Sequence, residues 1–208
     1  MQNFGLYVVS GSTFSRGRSL LEVAALALEG GAGIIQLREK ELTGKELVRQ
    51  GQRLKDLCTS YGAKFIVNDR ADIALAVDAD GVHLGQDDIP ISYARKILGP
   101  DKIIGISTHS LEQALEAQAA GADYIGVGPV FETQSKADVA APVGLELVAK
   151  VAAAISIPFV AIGGIKLHNV DQVLAAGAKN IAVITEVVGA EDIRLAALAL
   201  KERIAQVR

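Results

Sequence analysis

Gln36, Arg38 and Lys40 occupy alternate positions in the stretch IIQLREK, directly after an apolar run. In an extended chain alternate side chains share a face, so one amide and two cations point the same way, with Leu37 and Glu39 on the other side. Burying two cations without counter-charge is costly. A bound anion would offset that cost, Arg gripping it with a planar fork and Lys adding a point charge. A second reading is a salt-bridged or solvated strand end with Glu39 and Glu41 as partners. Spacing alone leaves both open.

The opposite charge stands further along, in VNDR with Asn68 and Asp69, and in HLGQDD with His83, Gln86, Asp87 and Asp88. Asp69 and Asp88 facing one site need a cation between them. Hard oxygen ligands with no cysteine nearby suit Mg2+, which accepts a few carboxylates together with phosphate and water. Each aspartate also fits a helix N-cap, Asp69 before ADIALAV and Asp88 before Pro90. Two further stretches suit phosphate. Gly163-Gly164 exposes bare backbone, and Thr185 precedes a helix expected to open near 188–190; a plain tight turn is the other reading of the glycine pair. Thr133, Ser135 and Lys136 place two hydroxyls and a cation on a long loop able to fold over a charged ligand. Ser107 and His109 end the run IIGISTH, and His168 reads as a helix-start residue. Neither His83 nor His109 completes a Ser/His/Asp or metal-ligand pattern, and no nucleophile–base pair is visible.

These residues must be held by something. Apolar runs at 5–9, 33–37, 64–67, 80–84, 103–106, 123–127, 158–162 and 180–183 read as strands, separated by patterns of helical period such as LEQALEAQAAG. Several helical patterns end in Gly-Ala, which suits a left-handed cap. Eight strands each followed by a helix predict an α/β chain folded as one (β/α)8 TIM-barrel domain over 1–208. An open doubly wound sheet is the alternative. In the barrel the site lies at the C-terminal strand ends, and the candidate residues above other than His168 end or follow the apolar runs there. The longer polar connections, 10–19 and 129–144, are expected to be functional or mobile.

Half of the 208 residues are apolar and the net charge is -3 with no block of like charge, so a nucleic-acid or anionic-membrane surface is not expected. No signal peptide precedes Phe4, no run is long enough to span a bilayer, and the lone Cys58 reads as a packed thiol. A reducing cytoplasm is expected. The oligomeric state is open, a homo-oligomer included.

QLREK (36–40), NDRADIA (68–74), GVHLGQDD (81–88), IGIST (104–108), ADYIGVGPVFETQSK (122–136), PVGLE (142–146), AIGGI (161–165) and IAVIT (181–185) run in order over nearly the whole chain. By these motifs the chain resembles the thiamine-phosphate synthase (thiamine-phosphate pyrophosphorylase) family. The resemblance implies a (β/α)8 barrel, a transferase, and condensation of hydroxymethylpyrimidine diphosphate with hydroxyethylthiazole phosphate to give thiamine phosphate and pyrophosphate. It implies that Gln36, Arg38, Lys40, Asn68 and Lys136 contact the pyrimidine diphosphate, and that Asp69 and Asp88 bind Mg2+. Ser107 would sit in the pyrimidine site, while Thr133, Ser135, Gly164, Ile184 and Thr185 would meet the thiazole phosphate. Arg38, Lys40, Lys136 and Ser107 are the expected catalytic set. The implied route is dissociative: pyrophosphate leaves first and the thiazole nitrogen traps a pyrimidine cation. Three positions depart from the family pattern: Glu132 stands for Pro, Ser135 for Thr and Thr185 for Ser. The rival readings are a thiazole tautomerase-like protein of the same superfamily, a phosphosugar isomerase, and a non-catalytic thiamine-precursor binding protein.

Overall fold

The computed structural model describes residues 4–133, 135 and 141–206. Its strands are β1 (Leu6–Ser10), β2 (Ile34–Leu37), β3 (Lys64–Asn68), β4 (Gly81–Leu84), β5 (Ile103–Thr108), β6 (Tyr124–Val127), β7 (Phe159–Ile162) and β8 (Ile181–Val183). All pair in parallel, each with its sequence neighbour, and β8 returns to β1, closing the barrel. The expected (β/α)8 TIM barrel is therefore present and the open sheet is excluded.

Helices α1 (Leu20–Glu29), α2 (Gly44–Ser60), α3 (Ala71–Ala76), α4 (Ile91–Leu98), α5 (Leu111–Ala119), α6 (Gly144–Ala154), α7 (Val170–Ala175), α8 (Thr185–Val188) and α9 (Ile193–Ala205) connect and follow the strands. Their starts are written locally. Thr43 and Glu46 form a reciprocal capping box for α2, and Ser19, Ser110 and Asp192 cap α1, α5 and α9 through their side chains. Gly121 (φ 88) turns the chain out of α5 into β6, the left-handed exit expected from the Gly-Ala pattern.

Strand alternation divides the core into two layers. Leu6, Val8, Ile35, Leu37, Phe65, Val67, Val82 and Leu84 point outward and pack with the helices, among them the α2 residue Cys58. Cys58 is fully buried, and burial pushes its thiol up to about 12, the packed-thiol state expected. Tyr7, Val9, Ile34, Ile66, Tyr124, Val160 and Ala182 point inward and fill the barrel. Two large phenols fit there because their neighbours have no side chain. A Cβ on Gly105 of β5 would lie 2.2 Å from Cζ of Tyr124, and one on Gly126 of β6 would lie 3.2 Å from the His83 ring. Gly105→Ala should therefore lower the melting temperature: overpacking a close-packed core costs roughly 1–3 kcal/mol, or about 2–4 °C per kcal/mol for a domain of this size. Thermal denaturation by circular dichroism checks this, and an unchanged midpoint would show that Tyr124 repacks freely.

Candidate active site

The inward series that begins in the core continues upward into polar residues. Above Ile34 in β2 comes Gln36, and Arg38 follows at the strand end. Above Ile66 comes Asn68, and above Gly105 comes Ser107. Gln36, Arg38, Asn68, His83 and Ser107 line one cavity with Tyr7 and Ile184. This answers why charge follows an apolar run in IIQLREK: the inward face of β2 passes from barrel core to barrel mouth within one strand. Lys40 lies beyond the strand and is exposed.

A buried hydrogen-bond chain forms the floor. Gln36 Nε2 donates to the Tyr7 hydroxyl at 2.7 Å. The Tyr7 and Tyr124 hydroxyls are 2.9 Å apart. Tyr124 meets His83 Nδ1 at 2.8 Å, and His83 Nε2 meets Ser107 Oγ at 2.9 Å. Burial raises the pKa of both phenols, so each stays protonated. Polar atoms this deep require partners, and the chain gives them to one another across β1, β2, β4, β5 and β6. The expectation of no nucleophile–base pair is thus corrected, because Ser107 and His83 are in hydrogen-bond contact. The group behind the histidine is a phenol, which carries no negative charge to stabilise an imidazolium. That makes the pair unlike the Ser/His/Asp arrangement. Tyr7 and Tyr124 were missed from sequence; the available signal was a hydroxyl-bearing aromatic inside each of two apolar runs, GLYVV and DYIGV.

The acidic pair sits at the rim. Asp69 adopts φ 60, and its backbone N–H reaches the His83 carbonyl at 2.8 Å. Its carboxyl is pushed up to about 6, chiefly by burial, then by the charge of Asp88 and a hydrogen bond to it; Lys40 and Arg38 pull the other way. Asp88 Oδ2 also accepts the Gly85 N–H at 2.6 Å. The two N-cap readings fail. Arg70 holds the cap position of α3 and Pro90 that of α4, and neither makes a side-chain cap bond. The ion-paired reading of Arg38 and Lys40 fails too. Glu39 turns to Ser12, accepting from its backbone N–H and, at 3.0 Å, from its hydroxyl. Among the described residues neither cation makes an ion pair with Glu39 or Glu41. Two apposed carboxylates beside two cations are a donor set that fits Mg2+. No group of three or more His, Cys, Asp and Glu is found among the described residues, so water and phosphate oxygens would complete its shell.

A second cavity adjoins the first, sharing Ser107, Gly126, Ile162, Ala182 and Ile184 with it. Its far wall carries Thr133, Ser135, Gly164 and Thr185, with His109 at its edge. The Thr133 and Ser135 hydroxyls are 2.8 Å apart. Gly163 (φ 102) and Gly164 (φ 64) lie close under the loop after β6: a Cβ on Gly164 would lie 2.5 Å from the Glu132 carbonyl oxygen. Their form and their closeness to that loop both require glycine. The helix expected to open near 188–190 instead opens at Thr185 and lasts one turn, as α8. Lys166, two residues past the glycine pair, was not singled out from sequence, yet its Nζ donates to Thr185 Oγ1 at 2.8 Å. Lys136 lies outside the described residues.

A closed parallel barrel with two adjoining cavities at the C-terminal strand ends defines a TIM barrel whose candidate site lies where enzymes of this fold carry theirs. The chain belongs to the thiamine monophosphate synthase (TMP-TENI) family, whose model matches residues 6–187, and it is a transferase. It is 56% identical over 200 residues, 96% of each chain, to thiamine-phosphate synthase of Shouchella clausii. It is 50% identical to that of Moorella thermoacetica, over all of this chain and 99% of the relative. Among solved structures it is similar to thiamine phosphate pyrophosphorylase from Pyrococcus furiosus, with a TM-score of 0.91, 45% identity and coverage of 98% and 96%. A 3-hexulose-6-phosphate synthase, at 20% identity and TM-score 0.68, shares the barrel alone. Among the described residues no helix is long and apolar enough to cross a membrane.

Proposed function

We propose that the chain joins hydroxymethylpyrimidine diphosphate to hydroxyethylthiazole phosphate in a Mg2+-dependent reaction in the cytoplasm, releasing thiamine phosphate and pyrophosphate. The observation that carries this reading is the contact between Asp69 and Asp88 beside Arg38 and Lys40, directly above the cavity floored by Gln36 and Ser107. It supports a site for a diphosphate whose organic group points down into the barrel. The adjoining cavity, with its hydroxyls and bare glycine backbone, supports a site for the second, monophosphate substrate.

In the proposed reaction the C–O bond between the pyrimidine methylene and the diphosphate breaks, and pyrophosphate leaves with the electron pair. The lone pair of the thiazole nitrogen then forms the C–N bond, with no net proton gained or lost. Mg2+ held by Asp69 and Asp88 would neutralise charge on the departing diphosphate. Arg38, Lys40 and Lys136 contribute further positive charge to the same oxygens, and Asn68 contributes a neutral donor. Gln36, fixed by Tyr7, and Ser107, fixed by His83, orient the pyrimidine ring. Thr133, Ser135, Gly164, Ile184 and Thr185 hold the thiazole phosphate so that its nitrogen faces the methylene carbon. No protein nucleophile is required, and Ser107 serves as a hydrogen-bonding group.

Purified protein mixed with both substrates and Mg2+ should release pyrophosphate, and omitting either substrate or the metal should stop release. Binding of both substrates without release would mark a non-catalytic binding protein and overturn the reading.

A further inference from the structure

Among the described residues, the pocket that takes the monophosphate in the proposed function offers mainly neutral groups: the Thr133, Ser135 and Thr185 hydroxyls and the Gly164 backbone. Hydroxyls alone are a poor match for a dianion, which takes its strongest hydrogen bonds from cationic donors. The surroundings make the shortfall worse. Glu132 lines the outer side of the same wall, and Glu186 follows Thr185 directly. Lys166 is the one Lys or Arg among the described residues lining that outer cavity, which it shares with Thr133, Ser135, Gly164 and Thr185.

Its placement is built rather than incidental. Lys166 is half-buried, donates to Thr185 Oγ1 at 2.8 Å and lies 3.3 Å from Glu186 Oε2. Glu186 is itself anchored by the Leu167 N–H at 2.9 Å, and Asn169 Oδ1 takes the Lys166 N–H at 2.7 Å. The lysine stem is thereby held over the pocket wall. An ammonium has three N–H groups, so its contacts with Thr185 and Glu186 leave a third to offer a ligand. Its bond to the threonine occupies an oxygen lone pair and leaves the hydroxyl proton free to be donated to a ligand.

We propose that Lys166 is a phosphate-binding cation of the monophosphate pocket, acting on a phosphate monoester dianion directly and through Thr185, with Glu186 as the counter-charge that holds it in place when no phosphate is bound. The proposal rests on the functional reading above for the identity of the phosphate ester. A purely structural role gives a different pattern, because a latch between the loops after β7 and β8 would be weakened equally from either end.

The experiment measures KM for each substrate in four proteins. Lys166→Ala should raise KM for the thiazole phosphate by roughly ten- to a hundredfold, the worth of one hydrogen bond to a charged group. The KM for the pyrimidine diphosphate should stay unchanged. Lys166→Arg should restore most of the loss, and Glu186→Gln should lower the thiazole phosphate KM by removing a repelling charge. An unchanged KM in Lys166→Ala, or a KM in Glu186→Gln that rises as in Lys166→Ala, overturns the proposal. If the wild-type protein releases no pyrophosphate, that failure belongs to the functional reading. Binding of inorganic phosphate then decides the matter: weaker binding by Lys166→Ala supports the assignment and equal binding overturns it.

Discussion

Arg38→Ala is expected to lower kcat/KM for pyrophosphate release by roughly 10²–10³, the loss typical of removing one positioned donor from a developing charge. Arg38 is half-buried at the end of β2, lines the inner cavity and makes no ion pair among the described residues. Its guanidinium is therefore held near Asp69 by the strand rather than by a surface partner. Removing it leaves the barrel intact, because the outward face of β2, Ile35 and Leu37, carries the packing against the helices. Far-UV circular dichroism should be unchanged. Arg38→Lys should recover only part of the rate, since a point charge cannot reproduce a two-pronged contact with phosphate oxygens. A wild-type rate in Arg38→Ala would remove the diphosphate from this rim.

Asp69→Asn is expected to abolish most activity while making the protein more stable. Asn tolerates the left-handed backbone at φ 60 at least as well as Asp, so the change is largely one of charge. In the folded chain the Asp69 carboxyl is raised from 3.8 to about 6, so folding disfavours its ionised form. Below pH 3.8 the group is protonated in both states and contributes nothing. As pH rises from there toward 6 the unfolded chain loses its proton first and stability falls, and above about 6 the full penalty is present. At neutral pH Asp69→Asn should therefore melt higher, by about 2–4 °C for a penalty of about 1 kcal/mol after allowing for partial solvent exposure. The difference should vanish below about pH 4. In the wild type at limiting Mg2+, kcat/KM should fall on the acid side of about 6, about tenfold per pH unit, because proton and cation compete for the same carboxylate. Parallel melting curves and pH–rate profiles check both halves. A variant that melts lower at neutral pH would show that the carboxylate stabilises the fold.

The barrel could be read from sequence because its signals are local. Each strand is an apolar run flanked by turns, and side-chain alternation then decides which residues face the mouth. Alternation puts Gln36 and Arg38 on one face, and Asn68 and Ser107 follow directly on their apolar runs; all four line the inner cavity. Boundaries slipped where polar residues continue a strand upward: the fifth run was ended at 106, yet β5 extends to Thr108 and holds Ser107 within its ladder. What could not be read depends on contacts between distant strands. The chain from Gln36 through Tyr7, Tyr124 and His83 to Ser107 exists only once the barrel has closed and brought β1 opposite β6 across its interior. The same applies to the contact between Asp69 and Asp88. Each alone matched a helix cap, and the choice required knowing that both caps are held by other residues. Lys166 gives no signal in the sequence, because its bond to Thr185 joins the loops after β7 and β8 only once the barrel has closed.

The central claim is that the rim above β2, β3 and β4 holds a diphosphate through a divalent cation. A crystal soaked with pyrophosphate and Mg2+ tests it directly. The expected density shows the ion between the Asp69 and Asp88 carboxylates and the pyrophosphate, with Arg38 and Lys40 on the phosphate oxygens. Pyrophosphate bound elsewhere, with those four side chains turned into solvent, would contradict it.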